Sequence, residues 1–395
     1  MPTASRLVLL ALVLLPAACT PPVRNPVPAD LINEATIPGL PGGRFWGDAW
    51  PTYNLPRFEA MSEAELREEF PASYGEPHHY LAISGGGANG AFGAGLLAGW
   101  TDAGTRPEFT MVTGVSTGAL SAPYAFLGSD WDDKLEEVYT TVQTSDLLEH
   151  RGILDSLFWD SMADTSKLRG VIETIFDEEV IDAIAAEHLR GRRLFIGTAN
   201  LDAGRPVIWS IGEIAASDYP DRVRLVHDIL QASSAIPVAF SPVIIPVEAN
   251  GVAYDEMHVD GGTSTQVFVY PAAIDWHRVT ERLAVPGSPN VYVIRNAFMD
   301  ASHQGVNRNI MPIAGRTIDS LIRTQGIGDL YQIHALCQRD GNDFHLAYIP
   351  AEFDVVPNEA FDPVYMTELF EFGYEAARSG GYSWTDVPPG FGFDR

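Results

Sequence analysis

The chain reads as an α/β fold built on a parallel sheet, and three stretches carry that reading. A short apolar run at 79–84 leads straight into Gly85, Gly86 and Gly87, and residues 89–103 follow as a helix of small residues. A second apolar run, 109–113, ends in the tight sequence Gly114-Val115-Ser116-Thr117-Gly118, after which 117–127 again has helical character. Strand, helix, strand, turn and helix in that order is the pattern of parallel strands joined by right-handed crossovers. The third stretch, strands at 243–246 and 253–259 that deliver Asp260, follows a largely helical region. With 395 residues the chain has room for two average domains, but one α/β domain with insertions fits the pattern better. Hydrophobic residues make up 46% and charged residues 19%, which supplies a large core and excludes a disordered chain.

At the N-terminus, Arg6 precedes an apolar run at 7–15 and then Pro16-Ala17-Ala18-Cys19. A run of this length is too short to span a bilayer and has the flanks of a secretory signal. Its end resembles the lipobox of bacterial lipoproteins, whose cysteine becomes the acylated first residue, although Pro16 stands where leucine is usual. The expectation is a signal peptide over 1–18 and lipidation at Cys19, giving an exported, lipid-anchored envelope protein. Plain export and an uncleaved anchor are the alternatives. Residues 19–78 are rich in Pro and Gly and read as a tether and covering segment, with Phe45, Trp46, Trp50 and Tyr53 suited to packing against the body. Ser62 and Glu65 have the spacing of a capping box for a short acidic helix at 61–70.

The catalytic body is expected over 79–395. It has a mostly helical region at 130–188, strands at 193–198 and 206–210, and a helix from 222. Further strands fall at 291–294 and 345–349, with helices at 314–336 and 363–378. The aromatic residues Phe370, Phe372, Tyr374 and Trp384 lie near helical spacing, which suits core packing better than lipid contact.

The formal net charge is −27, from 52 acidic and 25 basic residues, with no basic stripe. That balance argues against nucleic acid as partner and against electrostatic adsorption to anionic lipid. Cys19 and Cys337 are the only cysteines, so a disulfide framework and a cysteine zinc site are excluded. Cys337 falls at helical spacing among apolar residues and reads as core. Asp202, Asp255 and Glu256 match no calcium-binding pattern and read as solvated loop carboxylates. No metal and no cofactor is called for.

The chemistry sits in three segments. Ser116, between Gly114 and Gly118 and between a strand and a helix, has the placement of a nucleophile elbow. Gly85, Gly86 and Gly87 after the first core strand can supply backbone N–H donors for an oxyanion. The same glycines also fit a phosphate-binding loop, but no acidic residue stands where a dinucleotide site needs one. Asp260, followed by Gly261 and Gly262, is a carboxylate available to Ser116. His258 is two residues away and shares its strand face, a poor geometry for a Ser–His–Asp triad. His303, His334 and His345 stand in no context that singles one out. A direct Ser116–Asp260 dyad requires a desolvated Asp260 with raised pKa, since an ordinary carboxylate is a weak base near neutrality.

Together with Ala232-Ser233-Ser234-Ala235-Ile236-Pro237, these segments resemble the patatin-like phospholipase family over roughly 80–265. Family members carry a glycine-rich oxyanion loop, a GxSxG elbow, an Ala-Ser-x-Ala-x-Pro segment and an Asp-Gly-Gly whose Asp pairs with the serine. The resemblance implies a three-layer sandwich with a mixed, mainly parallel central sheet. It also implies a lipid acyl ester substrate, as for a phospholipase A or lysophospholipase, cleaved through an acyl-Ser116 intermediate. The usual Arg before the last glycine of the loop is replaced by Asn89, which removes a cation that could meet an anionic head group. The competing expectations are a non-catalytic envelope protein that binds lipid or a partner, and an esterase with a Ser–His–Asp triad.

Overall fold

The computed structural model describes residues 24–390 apart from 148, 151–162, 238, 302, 304 and 380–381. The expected signal peptide and Cys19 lie outside the described residues. In chain order the elements are β1 (Arg44–Trp46), α1 (Asn54–Ala60), α2 (Glu63–Glu69), β2 (His79–Ile83), α3 (Gly90–Asp102), β3 (Met111–Val115), α4 (Thr117–Leu127) and α5 (Asp132–Thr140). Then come α6 (Ser166–Ile175), α7 (Glu178–Leu189), β4 (Arg193–Asn200), β5 (Arg205–Ser210), α8 (Ile211–Ala215), α9 (Arg222–Ser233), β6 (Val243–Ala249) and β7 (Val252–Asp260). The last are α10 (Trp276–Arg282), β8 (Asn290–Phe298), α11 (Ile310–Asp340), β9 (Asp343–Ile349) and α12 (Pro363–Arg378).

Nine of the strands form one mixed sheet in the order β1-β5-β4-β3-β2-β8-β9, with the β6–β7 hairpin joined through β7 to β4, and two short strands, Glu149–His150 and Ala163–Asp164, pair separately. From β4 to β9 the pairing is parallel, and β5 and β1 extend it antiparallel at the other side. The strands are apolar on both faces, as parallel strands must be when both faces are covered. Leu81, Ile83, Val112, Leu194 and Ile196 join the core that includes Phe92, Leu96 and Leu97 of α3 and Phe126 of α4. The alternating Tyr80, Ala82, Met111, Val291 and Val293 meet Leu330, Ile333, Leu336 and Cys337 of α11 on the opposite face. This is the expected three-layer α/β sandwich, and Cys337 is a buried core residue.

The small residues of α3 do more than pack on the sheet. A Cβ at Gly93 would meet Ile294 of β8, but one at Gly95 or Gly99 would lie 1.9 Å or 2.2 Å from the carbonyls of Phe370 and Tyr374. These two glycines let α12 cross directly over α3. Phe370 is buried at that crossing, and Phe372, Tyr374 and Trp384 pack against the same core.

The segment before β2 differs from a loose cover. Its β1 strand pairs with β5 and closes that edge of the sheet, which removes a row of unpaired backbone groups. Arg24 pairs with Asp202 and Asp255 at 2.6 Å and 2.7 Å. Arg44, itself buried, makes an ion pair with Glu256, and Glu256 in turn meets His258 Nε2 at 3.1 Å. Burial opposes the charge on Glu256, but His258 and Arg44 together hold its pKa down at about 2. The three acidic residues read as solvated loop carboxylates are therefore arginine-paired, and Glu256 is a buried strand residue. The Ser62–Glu65 capping box is formed, with Glu65 N to Ser62 Oγ at 3.3 Å and Ser62 N to Glu65 Oε2 at 2.7 Å. Among the described residues no helix is long and apolar enough to cross a membrane.

Candidate active site

The site forms where β3 and β7 meet end to end along one edge of β4. Val115, the last residue of β3, lies opposite Gly197, and Asp260, the last of β7, lies opposite the next residue, Thr198. Ser116, one step beyond β3, thus emerges beside Asp260. Both are almost wholly buried, each 6% exposed.

Ser116 has φ 56° and ψ −125°, one of three non-glycine residues with positive φ among those described. Such a conformation is disfavoured for an L-residue and persists only where its surroundings impose it. The flanking glycines show how they do so: a Cβ at Gly114 would lie 2.3 Å from the Gly118 carbonyl, and one at Gly118 2.2 Å from that of Ile83. The Ser116 N–H donates to Ser233 Oγ at 3.0 Å, and that hydroxyl donates to the Gly197 carbonyl at 2.7 Å. Ser233 therefore ties the elbow to β4 from below, a role for the Ala-Ser-x-Ala-x-Pro segment that its sequence pattern did not state. Directly after Ser116 begins α4, whose N-terminal dipole favours negative charge there.

Asp260 is held by its own N–H to the Ala235 carbonyl at 2.9 Å and by the Gly262 N–H, which donates to Oδ1 at 2.7 Å. The Ser116 hydroxyl favours the charged form of this carboxyl. Burial raises the Asp260 pKa from 3.8 to about 6, against the opposing pull of Ser116 and the Gly262 N–H. Gly261 and Gly262 are needed for space. A Cβ at Gly261 would lie 2.4 Å from the Gly197 carbonyl, and one at Gly262 2.4 Å from Gln266 Nε2.

The glycine loop lies against the serine: a Cβ on Gly85 would be 3.2 Å from that of Ser116. Gly85 is not a free donor, however, because its N–H binds the Gln266 carbonyl at 3.1 Å. The N–H groups of Gly86 and Gly87, by contrast, engage no acceptor among the described residues. Asn296 fixes this loop through its N–H to Ser84 Oγ at 2.9 Å and its Nδ2 to the Ser84 carbonyl at 3.1 Å. Gln266 fixes the other side, with Nε2 donating to the Gly262 carbonyl at 2.7 Å and its N–H donating to the buried Asp329 at 2.6 Å. Neither residue belongs to a motif, so only the folded chain reveals them.

Ser116 and Gly87 open on an apolar cavity of about 60 Å³, lined by Leu120, Val138, Leu168, Ile172, Phe240 and Met366 among others. Helices α5 and α6 supply much of the wall. Asn89 is half-buried and accepts a hydrogen bond from Tyr365 Oη of α12 at 2.6 Å, which anchors the loop where the family usually has a cation.

The histidines take other places. His258 is fully buried with Nδ1 at 2.9 Å from Thr198 Oγ1 and Nε2 at 3.1 Å from Glu256. His345 is bonded to Asn290 at the start of β8, the end of the sheet opposite Ser116. His334 packs on Phe344 within the α11 layer, and His303 is exposed. Among the described residues no cluster of three or more His, Cys, Asp or Glu is arranged to hold a metal ion.

A serine on a strained strand-to-helix turn, beside a buried carboxyl and a glycine loop, is the arrangement of a serine hydrolase. Residues 81–273 match the family described as patatin-like phospholipase. That stretch is a patatin-like phospholipase domain by this match. No curated protein matches the chain. Among solved structures it is similar to the crystal structure of VipD from Legionella pneumophila, at 14% identity and a TM-score of 0.37. That likeness covers 76% of this chain and 66% of VipD, just under two thirds.

Proposed function

We propose that this protein hydrolyses lipid acyl esters, in the manner of a phospholipase A or lysophospholipase, through a Ser116–Asp260 dyad. The observation that carries the reading is the buried Asp260 carboxyl set beside Ser116 by adjacent strand registers, with its pKa raised by burial to about 6. An ordinary carboxylate would be too acidic to accept the proton near neutral pH, whereas one near 6 is a competent general base. Ser116 Oγ attacks the ester carbonyl carbon and its proton passes to Asp260. The N–H groups of Gly86 and Gly87 and the α4 N-terminus stabilise the oxyanion, each well-placed donor contributing about 3 kcal/mol to lowering the barrier. As the tetrahedral intermediate collapses, the C–O bond to the leaving alkoxide breaks and Asp260 returns the proton to it. Water, deprotonated by Asp260, then cleaves the acyl-Ser116 ester by the reverse sequence. The acyl chain occupies the apolar cavity beside Ser116.

The domain boundaries follow the same proposal, with 79–395 as the catalytic unit and 19–78 bound to it. The N-terminus is proposed to direct export with acylation at Cys19, giving contact with a membrane surface through the lipid. Metabolic labelling with a palmitate analogue, lost in Cys19→Ser, tests this. The activity is tested by p-nitrophenol release from short- and medium-chain esters by the purified chain beside Ser116→Ala and Asp260→Asn. Turnover in the parent, lost in both variants, supports the dyad and selects substrates for a phospholipid screen. A folded parent that neither turns over nor takes a fluorophosphonate on Ser116 refutes the reading in favour of a lipid-binding protein.

A further inference from the structure

A cavity of about 430 Å³ lies at the end of the sheet opposite Ser116. It forms around the N-terminal ends of β2, β3 and β4, where His78, Tyr80, Met111 and Arg193 line it together with residues of α1 and α2. It shares no lining residue with the cavity beside Ser116. Its volume falls in the range of sites for small molecules, and its walls are chiefly aromatic and aliphatic with few polar groups, as such sites are built.

The polar groups specify the ligand. The Arg193 guanidinium sits over the Phe70 ring at 4.5 Å. Its Nη1 donates to the carbonyls of His188 and Arg192 at 3.2 Å and 2.9 Å. Its Nη2 has Glu69 Oε1 at 3.9 Å, beyond hydrogen-bonding distance. Burial lowers the pKa of Arg193 to about 10 although Glu69 and Glu213 oppose this, so the cation is incompletely compensated. Glu213 is raised by burial, and both His78, near 4, and His188, near 3, are neutral at physiological pH, chiefly through burial. Arg57, at the rim, is paired with Glu69 at 3.1 Å, which draws that carboxylate away from Arg193. Two further groups lack partners: Asn54 Oδ1 and His188 Nδ1 are buried without a hydrogen bond. Asn54 Nδ2 is held by the Gly42 carbonyl and Glu213, so its Oδ1 is left as an acceptor in the wall.

We propose that this cavity binds a single-chain amphiphile with a carboxylate head, such as a long-chain fatty acid, its head on Arg193 Nη2 and its chain among Phe45, Phe58, Phe195, Phe268 and Tyr270. A carboxylate supplies the missing compensation for the guanidinium, and its chain fills space that water wets poorly. A cationic head would meet the Arg193 guanidinium. The proposal does not depend on the hydrolytic reading.

The test is calorimetric titration of the full chain carrying Ser116→Ala with laurate below its micelle concentration, beside 1-dodecanol. The expected result is one site for laurate, with at least tenfold weaker affinity for dodecanol and in Arg193→Gln. In Ala216→Trp, which fills the cavity and leaves Arg193 in place, binding is lost. Near-UV circular dichroism checks that each variant keeps the parent fold, and Ala216→Trp decides the matter should Arg193→Gln fail to fold. Equal affinity for laurate in a folded Ala216→Trp, equal affinity for dodecanol, or no laurate binding at all overturns the proposal. Competition at Leu120→Trp, in the wall beside Ser116, separates the two sites: loss of laurate binding there alone places the ligand in the Ser116 cavity and also overturns it.

Discussion

Replacing Asp260 by Asn separates the site's chemistry from its stability, because the two respond in opposite directions. The carboxyl is buried, and burial raises its pKa from 3.8 to about 6. A group whose protonated form is favoured by folding makes stability fall as pH rises between the two values, since the folded state then binds more protons than the unfolded one. The difference corresponds to about 3 kcal/mol at 1.36 kcal/mol per pH unit, present in full above pH 6 and absent below about 4. Asn keeps an oxygen to accept from the Gly262 N–H while removing the charge. Asp260→Asn should thus be more stable than the parent by about 1–3 kcal/mol at pH 8 and by little at pH 4, while its ester hydrolysis falls by about 10³-fold or more for want of a base. Urea denaturation at the two pH values, with p-nitrophenyl ester turnover beside it, measures both. The parent's kcat/KM should also decline as pH drops through about 6. A variant less stable than the parent at pH 8, or a stability difference independent of pH, would refute the claim that Asp260 is held as a desolvated base.

Three other substitutions probe the frame of the site. Ser233→Ala leaves the Ser116 N–H and the Gly197 carbonyl unpaired and buried, so stability should drop by about 1–3 kcal/mol and kcat should fall with little change in KM; an unchanged kcat would remove Ser233 from the positioning of the elbow. His258→Gln, placed to keep contact with Thr198 and Glu256, should retain turnover within about threefold of the parent, and a hundredfold loss in a folded variant would instead indicate a histidine-dependent triad. Arg44→Met strands Glu256 in the interior and should destabilise the fold by about 3–5 kcal/mol, read as a lower urea midpoint, whereas a neutral outcome would show that the pair with His258 suffices.

Much of the local structure is legible in the residues themselves. The elbow is written in Gly114 and Gly118 because only glycine leaves room for the carbonyls that close on it, and such contacts lie within a few residues or one neighbouring strand. The Ser62–Glu65 cap and the α12 helix, from Pro363 after the Asp362 cap to Arg378, are likewise local hydrogen-bonding patterns. The β1 strand was not legible, since three residues, Arg44 to Trp46, show no period and become a strand only because β5 has an edge to pair. Gly85 shows the converse: its composition matches Gly86 and Gly87, but the Gln266 carbonyl takes its N–H.

The chemical parts of this protein, a serine in an elbow, an Asp-Gly-Gly and a glycine loop, are therefore properties of the chain's local order. Their assembly is not. Ser116 meets Asp260 because β3 and β7 share one edge of β4 in adjacent registers, and register is set by long-range pairing that no short segment specifies. The raised pKa of Asp260 and the large cavity around Arg193 also follow from packing, since desolvation depends on what surrounds a group and not on its neighbours in sequence.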